Sequence, residues 1–363
     1  MNVRLIKVLF ILVSLISILL ACSLPGSATE TPVPVVQDTV PPATEIAPPP
    51  PPTEVVIQHA LIPADLPADR SSHAGDYDSS TTAAKKTSAG GDRFTFERFE
   101  RPFNANTMDV YFSQLDIVDT LVFQDDSWIY GSITLKGPDA SNALAGRYAL
   151  ELDLDLDGKG DWLIIAANPA STDWGVQGVQ AFQDANKDVG SKLPMLTDEG
   201  VAGGDGFEVL VFDQGNGKDP DTAWARVSPS DPNTVEIAVK RSVLGDPAKY
   251  LINMWAGNSL LNPALFDIND HFTHEQAGAA DVSLTFFYPA KEVSELDNSC
   301  RMAVGFQPTG QEPGLCEVFF PDVSGGDPAP GQPPPQGCPR PQSCVGNGDY
   351  WDSIKCVCNH IVP

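Results

Sequence analysis

From Phe94 to about Lys291 the chain alternates apolar and polar residues in short runs. The runs DSWIYGSITLKG, RYALELDLDLDG, DWLIIAAN, GFEVLVFDQGNG, TAWARVSPSDP, NTVEIAVKRS and DVSLTFFYP share a period of two, which sends successive side chains to opposite faces of a strand. They are bounded by DGKG, QGNG and PSDP, whose Gly, Asn, Asp and Pro residues favour tight turns. No sustained helical period interrupts them; RSVLGDPAKY and NPALFDIND each have room for one helical turn. Many short strands at regular spacing predict a mainly β fold, an antiparallel β-sandwich of jelly-roll-like form with a core large enough to stand alone.

The flanks lack this patterning. Residues 22–92 contain TPVPVVQDTVPPATEIAPPPPPTEVV and then SSHAGDYDSSTTAAKKTSAGGD. Such Pro-, Thr- and Ser-rich composition buries too little apolar surface to offset chain entropy, so a disordered stalk is expected. At about 3 Å per residue, an extended stalk of this length reaches on the order of 200 Å. The sandwich, with a Cys300/Cys316 extension, is assigned to residues 93–320, a Pro/Gly linker to 321–337, and a small Cys-rich knob to 338–363.

Acidic residues number 48 against 22 basic, a net charge of -26, which argues against nucleic acid as a partner. That balance suits a calcium-binding or highly soluble exported protein. Of seven cysteines, Cys22 stands alone, and Cys300, Cys316, Cys338, Cys344, Cys356 and Cys358 cluster near the C-terminus. Their even number predicts three disulfides in an oxidising compartment. Cys300 with Cys316 and two bridges inside the knob is the expected pattern; Cys356 and Cys358 lie too close in an extended chain to pair comfortably with each other.

At the start, Arg4 and Lys7 precede an apolar run too short for a comfortable membrane span, which ends in Leu19-Leu20-Ala21-Cys22. This resembles the lipobox of bacterial lipoproteins. The resemblance implies removal of residues 1–21, acylation of Cys22 (palmitate among the chains), and anchoring to the cell membrane or outer membrane, facing the exterior. Several acyl chains on one Cys make such anchoring stable. Ser23, where Asp would signal inner-membrane retention, leaves outward delivery open. The alternative is an ordinary signal peptide or membrane anchor.

The run LDLDLDGKGDW, Leu152 to Trp162, concentrates carboxylates. Alternation puts Tyr148, Leu150, Leu152 and Leu154 on one face and Glu151, Asp153 and Asp155 on the other. Either water screens a solvated acidic face, or a cation sits among the carboxylates. In the second reading Asp153, Asp155 and Asp157 occupy loop positions one, three and five. Gly158 then supplies the sharp bend at six, Lys159 a carbonyl at seven and Asp161 a ligand at nine. Oxygen donors at that spacing suit Ca²⁺. The run resembles the DxDxDG loop of EF-hands and other calcium proteins. Ile164 stands where an EF-hand has its bidentate Glu, and both flanks read as strands, so only the loop chemistry carries over, with calcium in a structural role. In QDANKDVG, Asp184, Asn186 and Asp188 repeat the spacing with Val189 at the Gly position; an ion site and an Asx-rich turn both fit. Asp213, Asp219 and Asp221, and likewise Asp267, Asn269, Asp270 and Glu275, read first as turn caps.

No GxSxG, HExxH or P-loop is present, and His271 and His274 have no evident third zinc ligand. Binding is the better expectation. Flat aromatic rings stack on sugar faces, which makes Trp174, Trp224 and Trp351 candidate ligand-binding residues, although each also fits a core; Trp128, Trp162 and Trp255 read as core.

From about Asp109 to Asp246, DSWIYGSITLKG, RYALELDLDLDGKGDWLI and TVEIAVKRSVLG resemble the strand order of family 9 carbohydrate-binding modules and DOMON-like domains. That resemblance implies a jelly-roll sandwich, often metal-containing and often glycan-binding. The expected function is a non-catalytic, calcium-binding surface lipoprotein that binds an extracellular glycan. A structural or adhesive envelope protein is the alternative, and an extracellular hydrolase ranks last.

Overall fold

The first six period-two runs, DSWIYGSITLKG to NTVEIAVKRS, form strands that pair into two antiparallel sheets. The computed structural model describes residues 57–88, 92–189, 205–266, 268–279, 289–309, 312 and 314–316, and the backbone of Asp349–Asp352 and Val357–His360. Residues 1–56 (Cys22 among them), the linker 321–337, and Cys338, Cys344 and Cys356 lie outside these residues, as do residues 281–288 of the DVSLTFFYP run and the side chains of Trp351 and Cys358.

Strands β1 (Ser72–Gly75), β2 (Glu100–Arg101), β3 (Ile117–Gln124) and β4 (Trp128–Leu135) precede the acidic strand β5 (Arg147–Asp153). Then come β6 (Trp162–Ala167), β7 (Val179–Gln183), β8 (Val209–Asp213) and β9 (Asn216–Gly217). After these run β10 (Ala223–Val227), β11 (Thr234–Lys240), β12 (Tyr250–Gly257), β13 (Leu296–Asn298) and β14 (Met302–Val304). Strands β15 (Asp349–Asp352) and β16 (Val357–His360) pair with each other, Trp351 opposite Cys358. One sheet has the order β1-β3-β4-β11-β10; the other runs β2-β13-β12-β5-β6-β7-β8-β9, with β14 also paired to β12.

The main core lies between the sheets. Tyr148, Leu150 and Leu152 of β5 meet Ile129, Ile133, Ile237 and Val239 of the opposite sheet, as alternation predicts. A second core covers the outer face of the larger sheet: Ala149, Leu163, Ile165 and Trp255 pack under Phe94, Phe99, Phe207, Phe266 and Leu296. Strands β5, β6 and β12 are therefore buried on both faces. This explains why β12, YLINMWAG, shows no alternation and was not legible as a strand. It also explains why Glu151 and Asp153 are buried, where the solvated-face alternative would leave them exposed.

Residues 57–88 correct the assigned stalk boundary at residue 92. β1 pairs with β3, Ser72 opposite Val122. His59 Nδ1 and the amides of Ala60 and Leu61 each lie 2.8 Å from the Asp221 carboxylate. The His59 ring packs edge-on against Trp224 with centroids 4.6 Å apart. A polar composition is compatible with order here because the segment lies on an apolar strand already supplied by the sandwich.

Two close approaches fix the body. Gly131 in β4 faces Leu150 across the main core, and a Cβ there would overlap Leu150 Cδ2. Gly131→Ala should cost about 1–3 kcal/mol by overpacking, read from urea unfolding. The expected disulfide between Cys300 and Cys316 is formed, closing a loop of sequence separation 16. Cys316→Ser should cost about 3 kcal/mol in the same assay, most of it through the unfolded chain.

Candidate metal centre

The aspartate run leaves β5 and re-enters the sheet at β6. Asp153 is the last residue of β5 and is 2 % exposed. Its Oδ1 accepts the Leu156 N–H at 2.6 Å and its Oδ2 the Gly158 N–H at 2.8 Å. Asp155 Oδ1 accepts the Asp157 N–H at 3.2 Å, and Asp157 Oδ1 the Lys159 N–H at 3.0 Å. Asp161 Oδ2 accepts the Leu154 N–H at 2.7 Å. Each such bond occupies one lone pair and leaves another on the same oxygen, so the side chains are held without being exhausted as ligands. Leu156 takes a left-handed φ of 65° and Gly158 one of 88°, the sharp bend for which a glycine was expected.

Carboxylate oxygens of Asp153, Asp155 and Asp161 lie within 4.8 Å of one another. Burial pushes Asp153 up to about 6, and the backbone donors and Arg301 oppose this. Burial likewise raises Asp161, with Asp155 adding repulsion. Positive charge placed among these groups would relieve both costs. Asp157, bonded to the Lys159 amide, is not part of the converging group. Of the expected ligand set Asp153, Asp155, Asp157, Lys159 and Asp161, the carboxylates of Asp153, Asp155 and Asp161 are the ones that converge.

The second loop leaves β7 at the same end of the sheet. β5 and β7 flank β6, and Trp162 stands opposite Gln183. Asp184 repeats the bonding of Asp153: Oδ1 accepts from Lys187, three residues on, at 2.6 Å, and Oδ2 from Val189, five residues on, at 3.0 Å. Asn186 Oδ1 accepts the Asp188 N–H at 3.0 Å, as Asp155 does from Asp157. Lys187 has a φ of 62°, matching Leu156 at the fourth loop position. Val189 takes the glycine position because the second loop buries that side chain in the outer core.

Two acids invisible in the motif join this loop. Glu208 Oε1 accepts the Ala185 and Asn186 amides at 3.0 and 3.2 Å, and Asp205 Oδ1 accepts from Asn186 Nδ2 at 2.8 Å. They follow the loop by about twenty residues, a separation that no local spacing rule detects. The loops also touch directly: Lys187 Nζ lies 2.7 Å from Asp155 Oδ2, and the Asp184 N–H donates to the Asp161 carbonyl at 3.1 Å.

The other candidates have different places. Trp224 is 4 % exposed, buried on the outer face of its strand under residues 57–66 with the His59 ring against it, which removes it as a sugar platform. Trp174 is half-buried. Its Nε1 donates to the Ala64 carbonyl at 2.9 Å, and the Arg226 guanidinium covers its ring at 4.4 Å. Asp219 pairs with Lys240 at 2.6 Å and Asp221 anchors His59, both structural roles. His274 is buried beside Thr95 and the Phe94 ring. Trp128, Trp162 and Trp255 are core, as expected.

A cleft of about 900 Å³ opens beside the loops, lined by Trp162, Gln183, Lys218, Asp219, Thr222 and Ser242 among others. Trp162 and Gln183 each adjoin a loop acid, Asp161 and Asp184. The fold and this edge define a class: a β-sandwich with paired acidic loops at one end of its larger sheet. Comparison with family models, curated proteins and solved structures finds no match to this chain.

Proposed function

We propose that this chain is an exported, lipid-anchored, non-catalytic surface protein whose sandwich binds calcium through its paired acidic loops. The observation that carries the reading is the convergence of the Asp153, Asp155 and Asp161 carboxylates within 4.8 Å, on a loop whose backbone bonding the Asp184 loop repeats. All-oxygen donors in an irregular loop suit a hard cation of calcium size. Calcium here neutralises the loop edge and fixes the strand ends that bear Trp162 and Gln183. The polar cleft is the place for a carbohydrate, with Gln183 and Lys218 meeting hydroxyls beside the Trp162 edge. The lipid on Cys22 holds the module at the membrane.

Calcium affinity, measured by competition with a chromophoric chelator, tests the loop. Asp155→Asn should weaken it at least tenfold, and an unchanged affinity rejects the loop site. The glycan reading is tested on an array probed with full-length protein in calcium and in chelator. A calcium-dependent hit that Lys218→Ala and Gln183→Ala abolish supports it. An array without hits favours the structural or adhesive envelope role, consistent with the burial of Trp224 and the covering of Trp174.

A further inference from the structure

The sandwich has one flank where the outermost strands of both sheets come together. β1 and β3 close the smaller sheet there, and β2 and β13 close the larger one. Asp76 follows β1, Glu100 lies in β2, Asp116 precedes β3 and Asp297 lies in β13. Asp297 stands opposite Glu100 in the strand pairing. Its Oδ2 crosses to the other sheet and accepts the Ile117 N–H at 2.6 Å.

Each of the four carboxyls has one oxygen held by a donor. Asp76 Oδ1 accepts the Tyr77 N–H at 2.9 Å, Glu100 Oε1 accepts the Ser79 hydroxyl at 2.6 Å, and Asp116 Oδ2 accepts the Tyr111 hydroxyl. The second oxygens of Asp76, Asp116 and Asp297 are enclosed, and none makes a hydrogen bond among the described residues. The Ser79 and Ser80 amides soften the field at Asp116 but fall short of a hydrogen bond to its Oδ1. Asp116 and Asp297 are each 0 % exposed, so water does not solvate these oxygens from outside. Glu100, Asp116 and Asp297 bring one oxygen each within 4.8 Å of one another. Enclosed polar atoms are normally satisfied, and unsatisfied oxygens on Asp116 and Asp297, two members of one converging group, call for a missing partner. Carboxylates that hold a metal are themselves fixed by hydrogen bonds, as Glu100, Asp116 and Asp297 are here.

We propose that Glu100, Asp116 and Asp297, with the charge of Asp76 acting on them, form an interior site for one divalent cation of calcium type, which joins the two sheets at this flank. Among the described residues the local cations do not fill that role. Arg101 is bound by Asp92, with Nε–Oδ1 and Nη2–Oδ2 distances of 2.6 and 2.9 Å, and Arg98 acts on Asp76 only through its field. Burial pushes Asp76 and Asp116 up to about 7 and holds Glu100 and Asp297 well above the ordinary carboxylate range. The four residues come from positions 76 to 297 with no shared motif, and the site does not depend on the Asp153 loop.

The test counts ions on full-length protein freed of metal, by equilibrium dialysis against radioactive calcium. Asp297→Asn and Asp116→Asn should each lower the wild-type stoichiometry by one ion, while Asp155→Asn should leave this ion in place and affect only the loop. Asparagine keeps an oxygen for the Ile117 amide, which favours folding of the Asp297 variant. A folded Asp297→Asn protein with undiminished stoichiometry overturns the proposal. Wild-type crystals grown with terbium decide the matter without any variant. An anomalous peak within about 2.3–2.6 Å of Asp297 Oδ1 supports the site, and terbium found only elsewhere, or none, overturns it.

Discussion

Asp92→Ala is expected to destabilise the fold by about 3–5 kcal/mol, because it leaves a buried charge without its counter-ion. Arg101 is 0 % exposed and lies between the Phe94 and Phe99 rings, 5.8 and 5.9 Å from their centroids. Asp92 grips Nε and Nη2, and Nη1 donates to the carbonyls of Ala277 and, at 3.2 Å, Val293. Asp92 also accepts the Glu100 N–H at 3.1 Å. Removing the carboxylate strips the guanidinium of two acceptors in a place water does not reach. Urea unfolding measures the loss, and the Asp92→Ala/Arg101→Met pair should recover much of it, since two neutral residues bury no charge. A loss under 1 kcal/mol in the single variant would refute this account of the pair.

The second large effect concerns the segment composition assigned to the stalk. A chain beginning at Phe94 should lose cooperative unfolding altogether. It lacks Asp92, uncovers β3 by removing β1, and exposes Trp224 by removing His59. Domains are stable by only about 5–15 kcal/mol, and these losses together are of that order. Near-ultraviolet circular dichroism during heating is the readout. A sharp transition at the full-length temperature would show that residues 57–92 are dispensable.

These two cases mark where sequence reading stops. Alternation along RYALELDLDLDG gives β5 and its inward face correctly, because Tyr148, Leu150 and Leu152 do meet the opposite sheet. It leaves the burial of Glu151 and Asp153 undetected, since the outer core that covers them is built from Phe207, Phe266 and Leu296, far along the chain. Glu151 instead accepts Trp255 Nε1 at 2.8 Å and Arg301 Nη2 at 3.2 Å. The Asp153 loop was legible because its carboxylates are local and its bend needs Gly158. The flank cluster was not, because strand pairing alone brings its residues together. Trp224 misled for a related reason: its polar strand neighbour Arg226 is satisfied inside the fold by Glu236 at 2.6 Å.

The most direct test of the calcium account is thermal melting of full-length protein in calcium and in chelator, beside an Asp155→Asn/Asp161→Asn variant. At a calcium concentration about a hundredfold above the dissociation constant, one bound ion adds about 2.7 kcal/mol. In a body of this size that raises the melting temperature by roughly 5–10 °C. The account predicts that the variant's gain from calcium is smaller than the wild type's by that amount. Equal gains in the two proteins, or no gain in either, would contradict it.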